Sequence, residues 1–208
     1  MTMTATPKKP GPRPRAPRER LPAEVIAGLV DAAGKGDQNA WNRLVHEFDS
    51  LIWAITRAHR LGDADAADVS QATWLALAQH INKLNNPAGV GAWLATTARH
   101  ECLRVLRAGQ RHLLFGDNTP EHESAEPGPG HALLITERDD ALWQAFSRLR
   151  EADQALLRML TADPRPPYEE IAAALDMPIG SIGPTRQRAL ARLREQLDGE
   201  QTLSLMID

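Results

Sequence analysis

Residues Tyr168–Leu197 read YEEIAAALDMPIGSIGPTRQRALARLREQL, and this stretch decides the fold. A short helix with Ile171, Ala172 and Leu175 facing inward leads into a tight joint at Asp176–Gly180 and then a longer basic helix, the order and spacing of a helix-turn-helix. Ser181 suits the N-cap of the second helix. Pro184 then falls at its third position, where a missing N–H removes no hydrogen bond because the first four donors of a helix are unpaired. At about 100° per residue, Ile182, Ala189, Leu190, Leu193 and Leu197 share one face. Arg186 falls in the middle of that face and is expected to pair with Glu169 or Glu170. The opposite face carries Pro184, Gln187 and Arg188, with Ser181 and Arg192 on its flank. These five are the expected DNA contacts, because recognition helices read base edges with amino-terminal residues while arginines hold phosphates. The alternative is a solvated charged face on an ordinary helical hairpin.

Upstream, the apolar pattern is helical almost throughout. Val25, Ile26, Leu29 and Val30 repeat at helical spacing before Gly34 and Gly36. Asp37 can cap the next helix, whose stripe is Trp41, Leu44, Val45, Phe48, Leu51, Ile52 and Ile55. After Gly62, the acidic Asp63, Asp65 and Asp68 suit the positive end of another helix, which continues through Val69, Trp74, Leu75, Leu77 and Ile81. A loop at Asn85, Asn86, Pro87 and Gly89 precedes a last helix from about Gly91 to Arg107. No strand-like alternation appears, so the expected fold is all-α: two helical domains joined by a flexible acidic linker, the second a helix-turn-helix domain.

The boundaries follow from composition. Residues 1–20 combine repeated proline with Lys8, Lys9, Arg13, Arg15, Arg18 and Arg20 and form an expected disordered basic tail, either a weak nucleic-acid contact or a solubilising leader. Residues 21–108 form the first domain, 109–138 the linker with Gly116, Pro120, Pro127, Gly128, Pro129 and Gly130, 139–198 the second domain, and 199–208 a short tail. A split near Arg150–Asp153 divides two helices ahead of Pro164, Pro166 and Pro167.

Net charge is only −3, so any DNA-binding surface is local. The single cysteine, Cys102, excludes an intrachain disulfide and cysteine-rich zinc spacings. No apolar run approaches the ~20 residues of a membrane span, and the amino terminus lacks an apolar signal core; a cytoplasmic protein is expected.

Three motifs in order carry a family resemblance. DAADVSQATWLALA contains Asp68, Val69, Gln71, Thr73, Trp74 and Leu75, AWLATTARHECLRVLR follows it, and the helix-turn-helix closes the chain. Together they resemble the extracytoplasmic-function sigma factors of the sigma-70 family, over about Ala23–Leu197. The resemblance implies a non-catalytic subunit that binds core RNA polymerase, directs it to promoter DNA and opens the duplex, with no cofactor and no metal. It implies that 21–108 is the region 2 domain and 139–198 the region 4 domain, which reads the minus-35 element. It further implies that Asp68, Gln71 and Trp74 dock on the polymerase, that Asn85–Gly89, with Asn85 and Asn86, capture a flipped base, and that Arg99, His100, Arg104 and Arg107 follow the melted minus-10 strand. An anti-sigma partner is an open implication of the family. Ala72, His100 and Arg104 depart from the family's usual glutamate, asparagine and aspartate. For Trp74 and Trp93, core packing competes with contact. The acidic linker residues Asp117, Glu121, Glu123 and Glu126 suggest a nucleic-acid mimic in the polymerase's RNA path.

Two rivals remain at this level. A stand-alone helix-turn-helix regulator with a helical ligand-binding domain would bind its operator unaided. An enzyme is disfavoured because the seven histidines form no metal-ligand motif: His112, His122 and His131 fall in the linker, and His46, His59, His80 and His100 lack the required spacing.

Overall fold

The computed structural model describes residues 20–115 and 137–207. The expected basic tail up to residue 19 and the acidic stretch with Asp117, Glu121, Glu123 and Glu126 lie outside the described residues.

Eight α-helices form the described chain: α1 (Ala23–Gly34), α2 (Gln38–Ala58), α3 (Asp63–His80), α4 (Val90–Phe115), α5 (Glu137–Ser147), α6 (Glu151–Thr161), α7 (Tyr168–Leu175) and α8 (Ile182–Ile207). No strand occurs among the described residues, as the periodicity predicts. Asp37 caps α2, its Oδ1 accepting from the Asn39 and Ala40 amides at 2.8 and 3.1 Å. Asp63 and Asp65 occupy the first turn of α3, with Asp68 one turn further on.

The first domain is built around α2 and α4. On α2, Ala40, Leu44, Phe48, Leu51, Ile52 and Ile55 are buried. On α4, Val90, Leu94, Ala95, Ala98 and Cys102 are buried, and the small residues among them let α2, α3 and α7 all approach this one helix. Each fully buried leucine or isoleucine here contributes about 1.5–3 kcal/mol.

The two helical domains meet in a shared buried cluster. The α6 and α7 residues Leu156, Met159, Ile171 and Ala174 join the same buried cluster as Phe48, Leu51 and Leu94. Helix α7 lies on α4, and α6 on α2. The helix-turn-helix domain keeps a small core of its own, Leu149, Leu157 and Ala189, with Phe146, Leu190 and Leu193 around it. Helix α6 thus has two apolar faces, one for each cluster.

Three boundaries differ from expectation. Helix α4 runs to Phe115 rather than ending near Arg107, so 109–115, His112 included, are helical. A lone glycine such as Gly109 subtracts only about 1 kcal/mol from a helix. Helix α8 likewise runs through the expected short tail to Ile207. Arg20 is anchored rather than part of a disordered tail, because its guanidinium finds partners in both domains.

Candidate nucleic-acid interface

The helix-turn-helix forms as its sequence predicts. Helix α7 ends at Asp176, which adopts a left-handed conformation with φ 55°, a region that aspartate tolerates better than most residues. A 3-10 turn, Ile179–Ser181, then feeds α8. Ser181 stands immediately before α8, with its hydroxyl donating back to the Pro178 carbonyl at 2.6 Å. Pro184 is the third residue of α8, where the missing donor is harmless.

Helix α8 seats Ile182 and Ala189 in the protein interior and packs on α5 and α6. Pro184, Gln187 and Arg188 are consequently exposed, and Ser181 is half-buried at their edge. Two arginines correct the helical wheel. Arg186 is exposed and does not join the inward face; Glu170, one of its two expected partners, is taken by Arg20. Arg192, expected to reach DNA, instead holds Asp153 of α6, with Nη1 2.5 Å from Oδ2. The buried carboxylate outcompetes solvent for this guanidinium because an unpaired buried charge is far more costly than an exposed one.

In the first domain, Asn85 and Asn86 are exposed between two 3-10 turns, Ile81–Lys83 and Pro87–Gly89. His100, Arg104 and Arg107 are exposed along α4. Arg104 also holds Glu101, one turn back on the same helix, at 2.7 Å. Arg99 is different: its Nη2 lies 2.8 Å from Oδ2 of Asp176, so the joint of the helix-turn-helix occupies it.

The outer face of α3 presents Asp68, Gln71 and Leu75 at helical spacing, all exposed, Leu75 to 59%. Trp74 sits half-buried against Trp41, ring centroids 6.0 Å apart and nearly perpendicular. The sequence pattern counted Leu75 with the apolar run of this helix and named no contact for it. Its signal was present: Val69, Thr73 and Leu77 define the buried stripe, and Leu75 falls off it. Trp93 is half-buried, with the His80 ring 6.2 Å away.

Burial pushes the Cys102 thiol up to about 12 and leaves it unreactive at neutral pH. Burial also lowers the His59 pKa, partly offset by the Ala174 backbone and reinforced by Arg99. No group of three or more His, Cys, Asp or Glu side chains suited to a metal ion occurs among the described residues.

The family model for sigma-70 region 2 matches residues 44–112, from within α2 through most of α4. The chain is 25% identical over 181 residues to the ECF RNA polymerase sigma-E factor of Salmonella typhimurium, covering 83% of this chain and 92% of that protein. The Escherichia coli K12 sigma-E factor matches to the same extent. The chain is thus similar, along most of its length, to the extracytoplasmic-function sigma factors of the sigma-70 family. A probable sigma factor, RfaY of Xanthomonas campestris, is 24% identical over 169 residues, covering 79% of this chain and 42% of that protein. Among solved structures, CnrH in complex with the cytosolic domain of CnrY shares the fold, with TM-score 0.56 and 20% identity over 84% of this chain and 98% of CnrH.

Proposed function

We propose that this sigma factor engages core RNA polymerase through the outer face of α3, Asp68, Gln71 and Leu75, with Trp74 supporting that face from behind. In this reading, Asn85 and Asn86 with His100, Arg104 and Arg107, joined by Arg99 once Asp176 releases it, take the minus-10 region. Ser181, Pro184, Arg186, Gln187 and Arg188 read the minus-35 element. The domains so used are residues 21–108, extended by α4 to 115, and 139–198.

One observation carries the assignment of α8. Its apolar residues are consumed by α5 and α6, which leaves Pro184, Gln187 and Arg188 exposed together on the opposite side of its amino-terminal turns, with Arg186 exposed apart from them. That is the end of a recognition helix that meets base edges in the major groove. The exposed cations of α4 suit a single-stranded backbone.

The proposal assigns no reaction to the chain and requires no cofactor. It places the protein in the cytoplasm with the transcription machinery; no helix among the described residues is long and apolar enough to cross a membrane. The likeness to CnrH, solved with the cytosolic domain of CnrY, supports a partner of the anti-sigma class as well.

Run-off transcription with core polymerase, followed by transcript sequencing, tests the reading. Promoter-specific start sites that depend on this protein are expected. Tight sequence-specific DNA binding in the absence of core polymerase, together with no specific start sites in its presence, would sink it in favour of a stand-alone regulator.

A further inference from the structure

The side of α8 turned away from α5 and α6 is poor in hydrogen-bonding side chains over its first three turns, where a recognition helix meets base edges. Counted from the buried Ile182 at about 100° per residue, Gly180, Gly183, Pro184, Gln187, Arg188 and Ala191 recur on that opposite side. All are exposed except the half-buried Gly183. A Cβ at Gly180 or at Gly183 would meet nothing within 4 Å, so no described residue covers this side of the joint. Two glycines, a proline and an alanine present a base edge with no side-chain donor or acceptor.

The polar groups beside them are already engaged. Ser181 donates its hydroxyl proton to the Pro178 carbonyl at 2.6 Å. Arg188 turns Nη2 back to Thr185 Oγ1 at 3.1 Å, and Thr185 is itself half-buried. The charge that Arg188 carries suits a phosphate oxygen. Arg186 is exposed apart from this side. Gln187 is left as the neutral side chain that holds both an acceptor and donors, and it makes no hydrogen bond to any described residue.

That amide is complementary to one base. Its carbonyl oxygen accepts from the adenine N6 amino group while its N–H donates to adenine N7. Guanine offers two acceptors in the major groove, cytosine a donor, and thymine an acceptor beside a methyl group. None of these satisfies both ends of the amide.

Resting on the sigma-factor reading, we propose that Gln187 is the specificity-determining residue of the minus-35 contact and that the base it selects is adenine. Arg188 then supplies a hold on the DNA backbone that is independent of sequence. Gly180 and Gly183, lacking side chains, do not keep the helix away from the groove.

The test uses the full chain with core polymerase, on a promoter identified by its run-off transcripts and randomised across the minus-35 positions, with the bound members sequenced. Wild-type protein should favour adenine at one position by roughly five- to 150-fold. Gln187→Ala should abolish the preference at that position alone. Gln187→Glu should transfer it to cytosine, because a carboxylate accepts from the cytosine N4 amino group. Arg188→Ala should weaken binding to every member of the library alike. The exposed glutamine has no internal bond to lose, so both of its variants should fold, which thermal unfolding checks. An adenine preference that survives Gln187→Ala overturns the proposal, as does a uniform loss across all positions, the mark of a backbone contact. A wild-type protein that prefers adenine at no position overturns it as well. If the wild-type protein yields no promoter-specific start sites, the sigma-factor reading fails instead, and the same library bound by the chain alone decides the assignment of Gln187.

Discussion

Arg192 of α8 and Asp153 of α6 form an ion pair, Nη1 to Oδ2 at 2.5 Å, in which the aspartate side chain is 6% exposed and the arginine 34%. Removing the arginine strands a buried carboxylate. Fully buried pairs lose about 3–5 kcal/mol when one member is deleted; with a third of the guanidinium in water, Arg192→Ala is expected to lose about 2 kcal/mol. The urea midpoint should fall at an unchanged slope. The same variant separates strut from DNA ligand. At protein concentrations corrected for folding, Arg192→Ala should leave the salt dependence of promoter binding by the polymerase complex unchanged. Arg188→Ala should reduce that slope by about one counterion. Equal slope changes in both variants would return Arg192 to the reading face.

His59 ends α2 beneath α7, with Nε2 buried and without a hydrogen-bond partner among the described residues. Burial lowers its pKa below the ordinary 6.5, so the folded protein holds the ring neutral while the unfolded chain takes up a proton more readily. The resulting stability is complete above 6.5 and is lost as pH falls through and below that value. Glu170 acts with the opposite sign. Its burial raises its pKa, opposed by Arg20, so the folded state retains a proton longer and gains stability as pH falls toward the ordinary carboxylate range. Stability should therefore decline from neutral pH into the range below 6.5 and flatten at lower pH. His59→Gln should remove the decline near 6.5 in denaturant titrations; an unaltered profile would show that another group titrates there.

The elements and the helix-turn-helix were readable because their signals are local. The stripe from Leu44 to Ile55, the Asp37 cap and the Arg150 break each involve residues within a few turns of one another. The α3 face was partly readable too, since Asp68 and Gln71, which the family resemblance singled out, stand exposed on it. What the sequence did not disclose depends on partners far along the chain. Arg186 stands exposed and Arg192 pairs inward, the reverse of the helical wheel, because the burial of Asp153, 39 residues away from Arg192, is a tertiary fact. Arg20 read as tail because its partners, Glu47 and Glu170, are separated from it by 27 and 150 residues. A helical wheel registers which residues share a face but not what the face meets.

Glycine substitutions in two helices should have opposite signs. Gly28 of α1 is exposed, and a Cβ there meets nothing within 4 Å. Gly28→Ala should stabilise by about 0.5–1 kcal/mol through helix propensity and the narrower unfolded ensemble. Gly91→Ala gains the same propensity, but its Cβ would lie 2.8 Å from Phe48 Cε1 in the middle of the packed core. Overpacking of about 1–3 kcal/mol exceeds the propensity gain of about 1 kcal/mol, so the net effect is destabilising. Glu170 can swing aside; the Phe48 ring, 1% exposed, has no room to do so. Chemical denaturation of the two variants side by side checks the signs, and a stabilised Gly91→Ala would mean that α4 and α7 do not pack as closely as described.

Adjacent residues on α3 should separate stability from polymerase binding. Trp74 packs edge-on against Trp41, and its buried Nε1 has no hydrogen-bond partner among the described residues. Trp74→Phe loses no internal hydrogen bond and keeps most of the ring contact, so it should be tolerated. Trp74→Ala should lose about 2–3 kcal/mol, less than the ~3–5 of a fully buried ring. Leu75, 59% exposed, contributes little to the fold, and Leu75→Ala should change stability by no more than about 0.5 kcal/mol. An exposed apolar side chain beside Asp68 and Gln71 nevertheless suits the anchor of a protein interface, where truncation commonly removes about 1–2 kcal/mol of binding, roughly five- to thirtyfold in Kd. Titration of labelled protein with core polymerase gives the affinity, and urea unfolding gives the stability. If α3 docks as proposed, Leu75→Ala weakens binding at full stability, whereas Trp74→Phe leaves both nearly intact. Loss of binding in Trp74→Phe with none in Leu75→Ala would instead place the contact on the tryptophan and turn the docking face of α3 toward α2.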